Sequence, residues 1–162
     1  MTESLPARAT VGLRPHIVVG VDGSPESLAA LRQARVLAQT LGGGVEAVSV
    51  WEFPASALGY LPAGWSPEDD AKTVLQDAVH AVFGETPPAW LAQTTVEGAA
   101  ARSLIEESEK ADLLIVGSRG HGGFAGLLLG SVSAACAAHA HCPVLIVRDD
   151  RLLLPGELPA GG

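Results

Sequence analysis

The chain predicts an α/β fold, an open parallel sheet with helices on both faces. Three observations carry this. Short runs rich in Val and Ile alternate with longer stretches of helical period, in the order β-α-β-α-β-α-β-α-β. Apolar residues make up 48% of the 162 residues but aromatics only 4%, so the core is Ala, Val, Leu and Ile, as for helices laid on a buried sheet. Between Gly117 and Ser133 the chain reads GSRGHGGFAGLLLGSVS, with six glycines from Gly117 to Gly130, too many for the interior of a strand or helix. This segment follows a strand-like run and leads into a helical one, a place where backbone can approach phosphate oxygens closely.

Each element has its own signal. His16 to Val21 is a short β-branched run and predicts the first strand. Asp22-Gly-Ser-Pro25 ends it, with Ser24 as N-cap and Pro25 at the first helical position. The helix that follows carries Leu28, Leu31, Ala34, Ala38 and Leu41 on roughly one face, and Gly42-Gly-Gly44 stops it. Val45 to Val50 is the second strand. Trp51 to Trp65 is a loop, long for a βα connection. Ser66-Pro-Glu-Asp69 opens the next helix, with an acidic residue at its third position. Ala71, Val74, Leu75, Ala78, Val79 and Val82 give that helix the clearest period in the chain, and Gly84 with Pro87-Pro88 ends it. Trp90 to Val96 is the third strand, Ala101, Leu104, Ile105 and Ser108 mark a short helix, and Leu113 to Val116 is the fourth strand. Val132, Ala135, Cys136 and His139 share a face of the last helix, and Pro143 to Val147 is the final strand.

The length suits one domain. Residues 1–14 read as a flexible tail, 15–148 as the folded unit and 149–162 as a second tail. A net charge of −8 with two lysines, Lys72 and Lys110, leaves no basic stripe for nucleic acid. No apolar run approaches membrane-spanning length, and the first residues lack the apolar stretch of a signal peptide. Two cysteines make no disulfide framework, so the cytoplasm is the default expectation.

Three phosphate-binding solutions compete. A dinucleotide G-x-G-x-x-G belongs after the first strand, where this chain has Val21-Asp-Gly-Ser24, so that reading fails on position. A P-loop needs a lysine, and none lies near either glycine cluster. The third is a spacing of G-x2-G-x9-G-S through Gly117, Gly120 and Gly130-Ser131. With Val19-Gly-Val-Asp-Gly-Ser24 and His141-Cys-Pro-Val144, it resembles the ATP-binding branch of the universal stress protein family, over roughly His16 to Arg148.

The resemblance implies a five-stranded Rossmann-like sheet of order 3-2-1-4-5, of the adenine nucleotide alpha-hydrolase-like kind. It implies that Asp22 and the backbone of Val50 contact the nucleoside. It likewise implies that Gly117, Gly120, Gly130, Ser131 and Ser133 hold ribose and phosphates. It further implies a homodimer through the last strand, and a stress-response regulator rather than a fast enzyme. The ligand so implied is an adenine nucleotide, with ATP, AMP and cyclic AMP left as alternatives, and Mg²⁺ would accompany the phosphates.

The residues support this on their own chemistry. Gly117 and Gly120 leave room where a Cβ would meet ribose or phosphate. Gly130, Ser131, Val132 and Ser133 open a helix whose free N–H groups and dipole favour an anion, and the two serines offer hydroxyl donors. Asp22, at the end of the first strand, is placed to accept from ribose hydroxyls or the adenine amino group, or to help hold a metal; it is also a good plain turn aspartate. The segment offers amides, hydroxyls, Arg119 and His121 but no lysine, so at most weak ATP hydrolysis is expected. An enzyme of the related pyrophosphatase branch would carry S-G-G-x-D-S after its first strand, which Val21-Asp-Gly-Ser24 is not. Loss of glycine or serine from the motif would favour a partner-binding module that no longer needs nucleotide; the motif is complete here, and this module and a slow ATP-hydrolysing enzyme stand as the alternative readings.

Other residues read as ordinary. Cys136, His139, His141 and Cys142 straddle a helix end and a strand start, without the spacing of zinc ligand knuckles. Arg119 is the better candidate for phosphate charge, and His121 reads as solvated. Trp51, Tyr60 and Trp65 are placed either to cover an adenine ring or simply to pack. The last strand is apolar and, at a sheet edge, needs covering.

Overall fold

The computed structural model describes residues 14–57, 59–120 and 128–148. Five strands, β1 (His16–Gly20), β2 (Gly44–Trp51), β3 (Leu91–Glu97), β4 (Leu113–Gly117) and β5 (Val144–Val147), form one sheet of order β3-β2-β1-β4-β5. Every pairing is parallel. Four helices connect them: α1 (Pro25–Leu41), α2 (Pro67–Phe83), α3 (Ala100–Glu107) and α4 (Ser131–His139). The expected fold class and sheet order are both observed.

Strand alternation explains the layers. Ile17 and Val19 of β1 face α1 and α2, in a core with Leu31, Ala34, Leu75 and Val79. Val18, between them, faces the opposite side with Leu104 of α3 and Cys136 of α4. Strands buried on both faces must be apolar throughout, which is why β1 and β4 read as continuous aliphatic runs.

Local chemistry sets the boundaries. Ser24 caps α1 by accepting Ser27 N–H at 3.2 Å, and Ser66 caps α2 by accepting Asp69 N–H at 3.2 Å. Gly42 closes α1 in the left-handed conformation at φ 70°, a position suited to glycine. Ser108 follows α3 in a 3-10 turn (Ser108–Lys110). Its buried hydroxyl donates to Ile105 O at 2.5 Å and accepts His141 N–H at 2.8 Å, so it ties α3 to the approach to β5.

Some expectations shift. β3 begins at Leu91, leaving Trp90 outside to meet Phe83 edge-on with ring centroids 5.7 Å apart. Leu41 is 57% exposed, because the last turn of α1 runs past the packed face. His139, the last residue of α4, is also exposed. The loop after β2 contains a 3-10 turn at Ala55–Ala57. The expected tails, apart from Arg14, lie outside the described residues.

Among the described residues, no helix is long and apolar enough to cross a membrane. β1 pairs with β2 on one side and β4 on the other, so the chain reverses its winding direction at β1. A crevice at the carboxyl ends of the strands opens at such a switch point.

Candidate functional site

A cavity of about 460 Å³ occupies that crevice. Asp22, Val50, Gly117, Gly120, Gly130, Ser131, Val132 and Ser133, far apart in sequence, all line it.

One wall is the turn between β1 and α1. Asp22 Oδ1 accepts Ser24 N–H at 2.9 Å and the Ser24 hydroxyl at 2.5 Å. Asp22 N–H donates to Ser27 Oγ at 3.3 Å, and Ser27 Oγ donates to Ser24 O at 3.0 Å. Ser24 and Ser27 are buried. The turn therefore holds the carboxylate from behind, with Asp22 itself exposed at the crevice.

The facing wall joins the end of β4 to the start of α4. Gly130 is the N-cap of α4, extended at φ −71°, with no side chain to cap the helix. Ser131, exposed, and Val132, half-buried, follow in the first turn. The N–H groups of such a turn lack partners within the helix, and they carry its positive dipole end. Arg119 is exposed and, among the described lining residues, is the cationic one. His121 falls in 121–127, outside the described residues.

The floor is apolar. Val48 and Val50 of β2, Val116 of β4 and Ala100 and Leu104 of α3 line it. A flat apolar ring fits such a floor, with polar groups held at the two walls. Sequence reasoning missed Ala100 and Leu104, one turn apart, because periodicity does not say which helix reaches a crevice. It also missed Ser24 and Ser27 as parts of the site, although Ser24 is visible as a cap.

Two readings of the glycine wall need correction. A Cβ on Gly117 would lie 2.8 Å from the carbonyl carbon and the Cβ of Glu26 in α1. Helix packing by itself requires that glycine, at a position that also lines the cavity. The hydroxyl of Ser133 is engaged already: Ser133 is 2% exposed, and its Oγ donates to backbone oxygens, Ser118 O at 2.9 Å and Gly130 O at 3.1 Å. Gly120 does stand against the site, since its Cβ would fall 2.5 Å from Asp22 Oδ2.

A second, more open cavity of about 330 Å³ shares Asp22 and Val50 with the first and is lined by Trp51 and Trp65 among others. Trp65 Nε1 donates to Asp70 Oδ2 at 2.7 Å, and Trp51 meets Phe53 edge-on. Both indoles line this neighbouring cleft, Trp65 with 38% of its surface exposed, and Tyr60 is 96% exposed.

The zinc-like residues do not converge: among the described residues no cluster of three His, Cys, Asp or Glu is arranged to hold a metal. Cys136 is fully buried, and burial pushes its thiol up to about 11. Burial also raises the half-buried Cys142 thiol. His141 lies 3.6 Å from Glu109.

Fold and cavity define an open, doubly wound α/β protein with its crevice at the switch between β1 and β4. The chain belongs to the universal stress protein family, whose model matches residues 14–148. It is 35% identical to a universal stress protein of Mycolicibacterium smegmatis, over 83% of this chain and 46% of that one. It is also 35% identical to universal stress protein Rv2623 of Mycobacterium tuberculosis, over 86% of this chain and 49% of the relative. The chain thus spans about half the length of these curated relatives. Among solved structures it is similar to a universal stress protein in complex with cAMP, at 30% identity and TM-score 0.62, over 83% of this chain and 97% of that one. Universal stress protein UspA from Lactobacillus plantarum shares the fold, at 21% identity and TM-score 0.63, over 83% and 97% of the two chains.

Proposed function

We propose that this chain holds an adenine nucleotide in the crevice between β1 and β4 and serves as a nucleotide-sensing regulator in a stress response. One observation carries the reading: a helix start, a carboxylate turn and an apolar floor converge on a single cavity of about 460 Å³. The structure with cAMP, at 30% identity, supports an adenine nucleotide as the ligand class.

Asp22 and the Val50 backbone meet the nucleoside. Gly117, Gly120, Gly130, Ser131, Val132 and Ser133 surround ribose and phosphates, mainly through backbone amides, with Arg119 adding charge at the rim. Mg²⁺ would accompany the phosphates of ATP and be held mainly by them, since Asp22 is the one carboxylate among the described lining residues. Residues 15–148 form the working unit, in the cytoplasm. A second copy covers the β5 edge, which among the described residues pairs only with β4. With no lysine at the cavity, nucleotide is held far better than it is hydrolysed.

Mass spectrometry of nucleotide released from freshly purified protein tests this, together with calorimetric titration by ATP, AMP and cyclic AMP. An adenine nucleotide carried through purification, or saturable binding of one of the three, is the expected result. No carried nucleotide and no heat at millimolar concentrations of all three would overturn it.

A further inference from the structure

Ser133 has a different task from the one a serine at a helix start suggests. Its Oγ faces two carbonyl oxygens, Ser118 O and Gly130 O, and both are acceptors only, so its single proton is committed between them. Ser118 O also accepts Gly130 N–H at 2.7 Å. On its other side, Ser118 N–H donates to Val147 O at 2.8 Å, one residue beyond the last paired position of β4. Ser118, like Ser133, is buried. Residues 118, 130, 133 and 147 therefore share one buried knot that ties the end of β4 to the start of α4 and to β5.

We propose that Ser133 is a positioning residue: through Ser118 O its hydroxyl holds the Ser118–Gly120 turn against the first turn of α4, setting where the main-chain amides of that wall point. The functional consequence rests on the nucleotide reading, but the geometry does not. The hydroxyl fixes a carbonyl, the carbonyl fixes the N-cap residue, and the N-cap fixes the free amides of the helix start. Anion sites made of main-chain amides depend on preorganisation, so loosening this knot weakens ligand binding without deleting a ligand contact.

Amide hydrogen exchange on the nucleotide-free full chain tests the proposal, alongside ATP titration. In Ser133→Ala, exchange at Ser118 and Gly130 rises by about fivefold or more, as for loss of one buried hydrogen bond. Ser133→Thr keeps the hydroxyl, which a helical threonine readily aims at the i−3 carbonyl, and restores slow exchange. Ser131→Ala, at an exposed hydroxyl, leaves both amides unchanged. ATP affinity falls about five- to tenfold in Ser133→Ala and recovers in Ser133→Thr. Should the alanine variant not fold, Ser133→Cys, near in size with only a weak donor, is expected to speed exchange in the same way. Unchanged exchange at Ser118 and Gly130 in the nucleotide-free variant, with ATP affinity reduced, would make the hydroxyl a ligand group and overturn the proposal. If the wild-type chain binds no nucleotide, the functional reading fails while the exchange comparison still decides the role of Ser133.

Discussion

The two walls of the crevice are built from the same materials and held in opposite ways. At Asp22 a side chain faces the cavity and two buried serines brace it from behind. At Gly130 the main chain faces the cavity, and the buried serine braces a carbonyl instead. In both walls the buried serines, Ser24, Ser27 and Ser133, spend their hydroxyls inside the protein. A serine beside a crevice is not thereby a ligand. What separates the two roles is burial, because a buried hydroxyl must satisfy itself on protein atoms whether or not a ligand arrives.

The glycines on the second wall divide in the same manner, and substitution separates them. Gly117→Ala has the largest expected effect on stability. Its new methyl would stand 2.8 Å from main-chain and Cβ atoms of Glu26, in the first turn of α1, where no flexible side chain can give way. Overpacking of this kind costs about 1–3 kcal/mol. Urea unfolding should show a lower midpoint with an unchanged slope. A variant as stable as the wild type would show that Glu26 does not require a glycine at 117.

Gly120→Ala should act on binding instead. The added methyl meets Asp22 Oδ2, and the carboxylate can turn about its Oδ1, which Ser24 holds, without losing that anchor. Stability then changes little, by about 0.5 kcal/mol or less, as at most surface sites. The carboxylate is pushed off its place between the two walls, and nucleotide affinity falls about tenfold, or ~1.4 kcal/mol. Equal losses of stability in Gly117→Ala and Gly120→Ala would erase the distinction between a packing glycine and a site glycine.

How far these roles are legible in sequence differs between fold and site. Element order, the Ser24 and Ser66 caps and the sheet order all follow from period, punctuation and family resemblance, since each is a local or repeated signal. The convergence of eight residues from three segments on one cavity was legible through the glycine spacing and the strand ends. The use of each glycine was not. A missing Cβ shows that something stands close, and only the fold shows whether it is Glu26 or Asp22. Ser118 carried no signal, because its backbone N–H and C=O do the work and every residue type has those. Leu41 misled because helical period continues through a last turn that overhangs its support.

Gly130→Ala should have the smallest effect of the three glycine substitutions. The residue is extended at φ −71° and ψ 166°, a conformation open to alanine, so no backbone strain follows. Its Cβ would lie 3.4 Å from Arg119 Cα, 3.6 Å from Ser118 O and 3.7 Å from Gly120 N, at the edge of ordinary contact. Two further terms oppose each other. Alanine is the poorer N-cap by roughly 0.5–1 kcal/mol. It also restricts the unfolded chain, which returns about 0.4–1 kcal/mol. The net change in stability is therefore expected within about 0.5 kcal/mol by thermal or urea unfolding. The methyl points at the 118–120 turn that Ser133 anchors, so any loss of ATP affinity, read by calorimetry, stays within about threefold, or ~0.7 kcal/mol. A loss as large as that of Gly120→Ala would mean that the ligand passes directly over Gly130, and that this wall reads its ligand through the space at the helix cap rather than through amides held from behind.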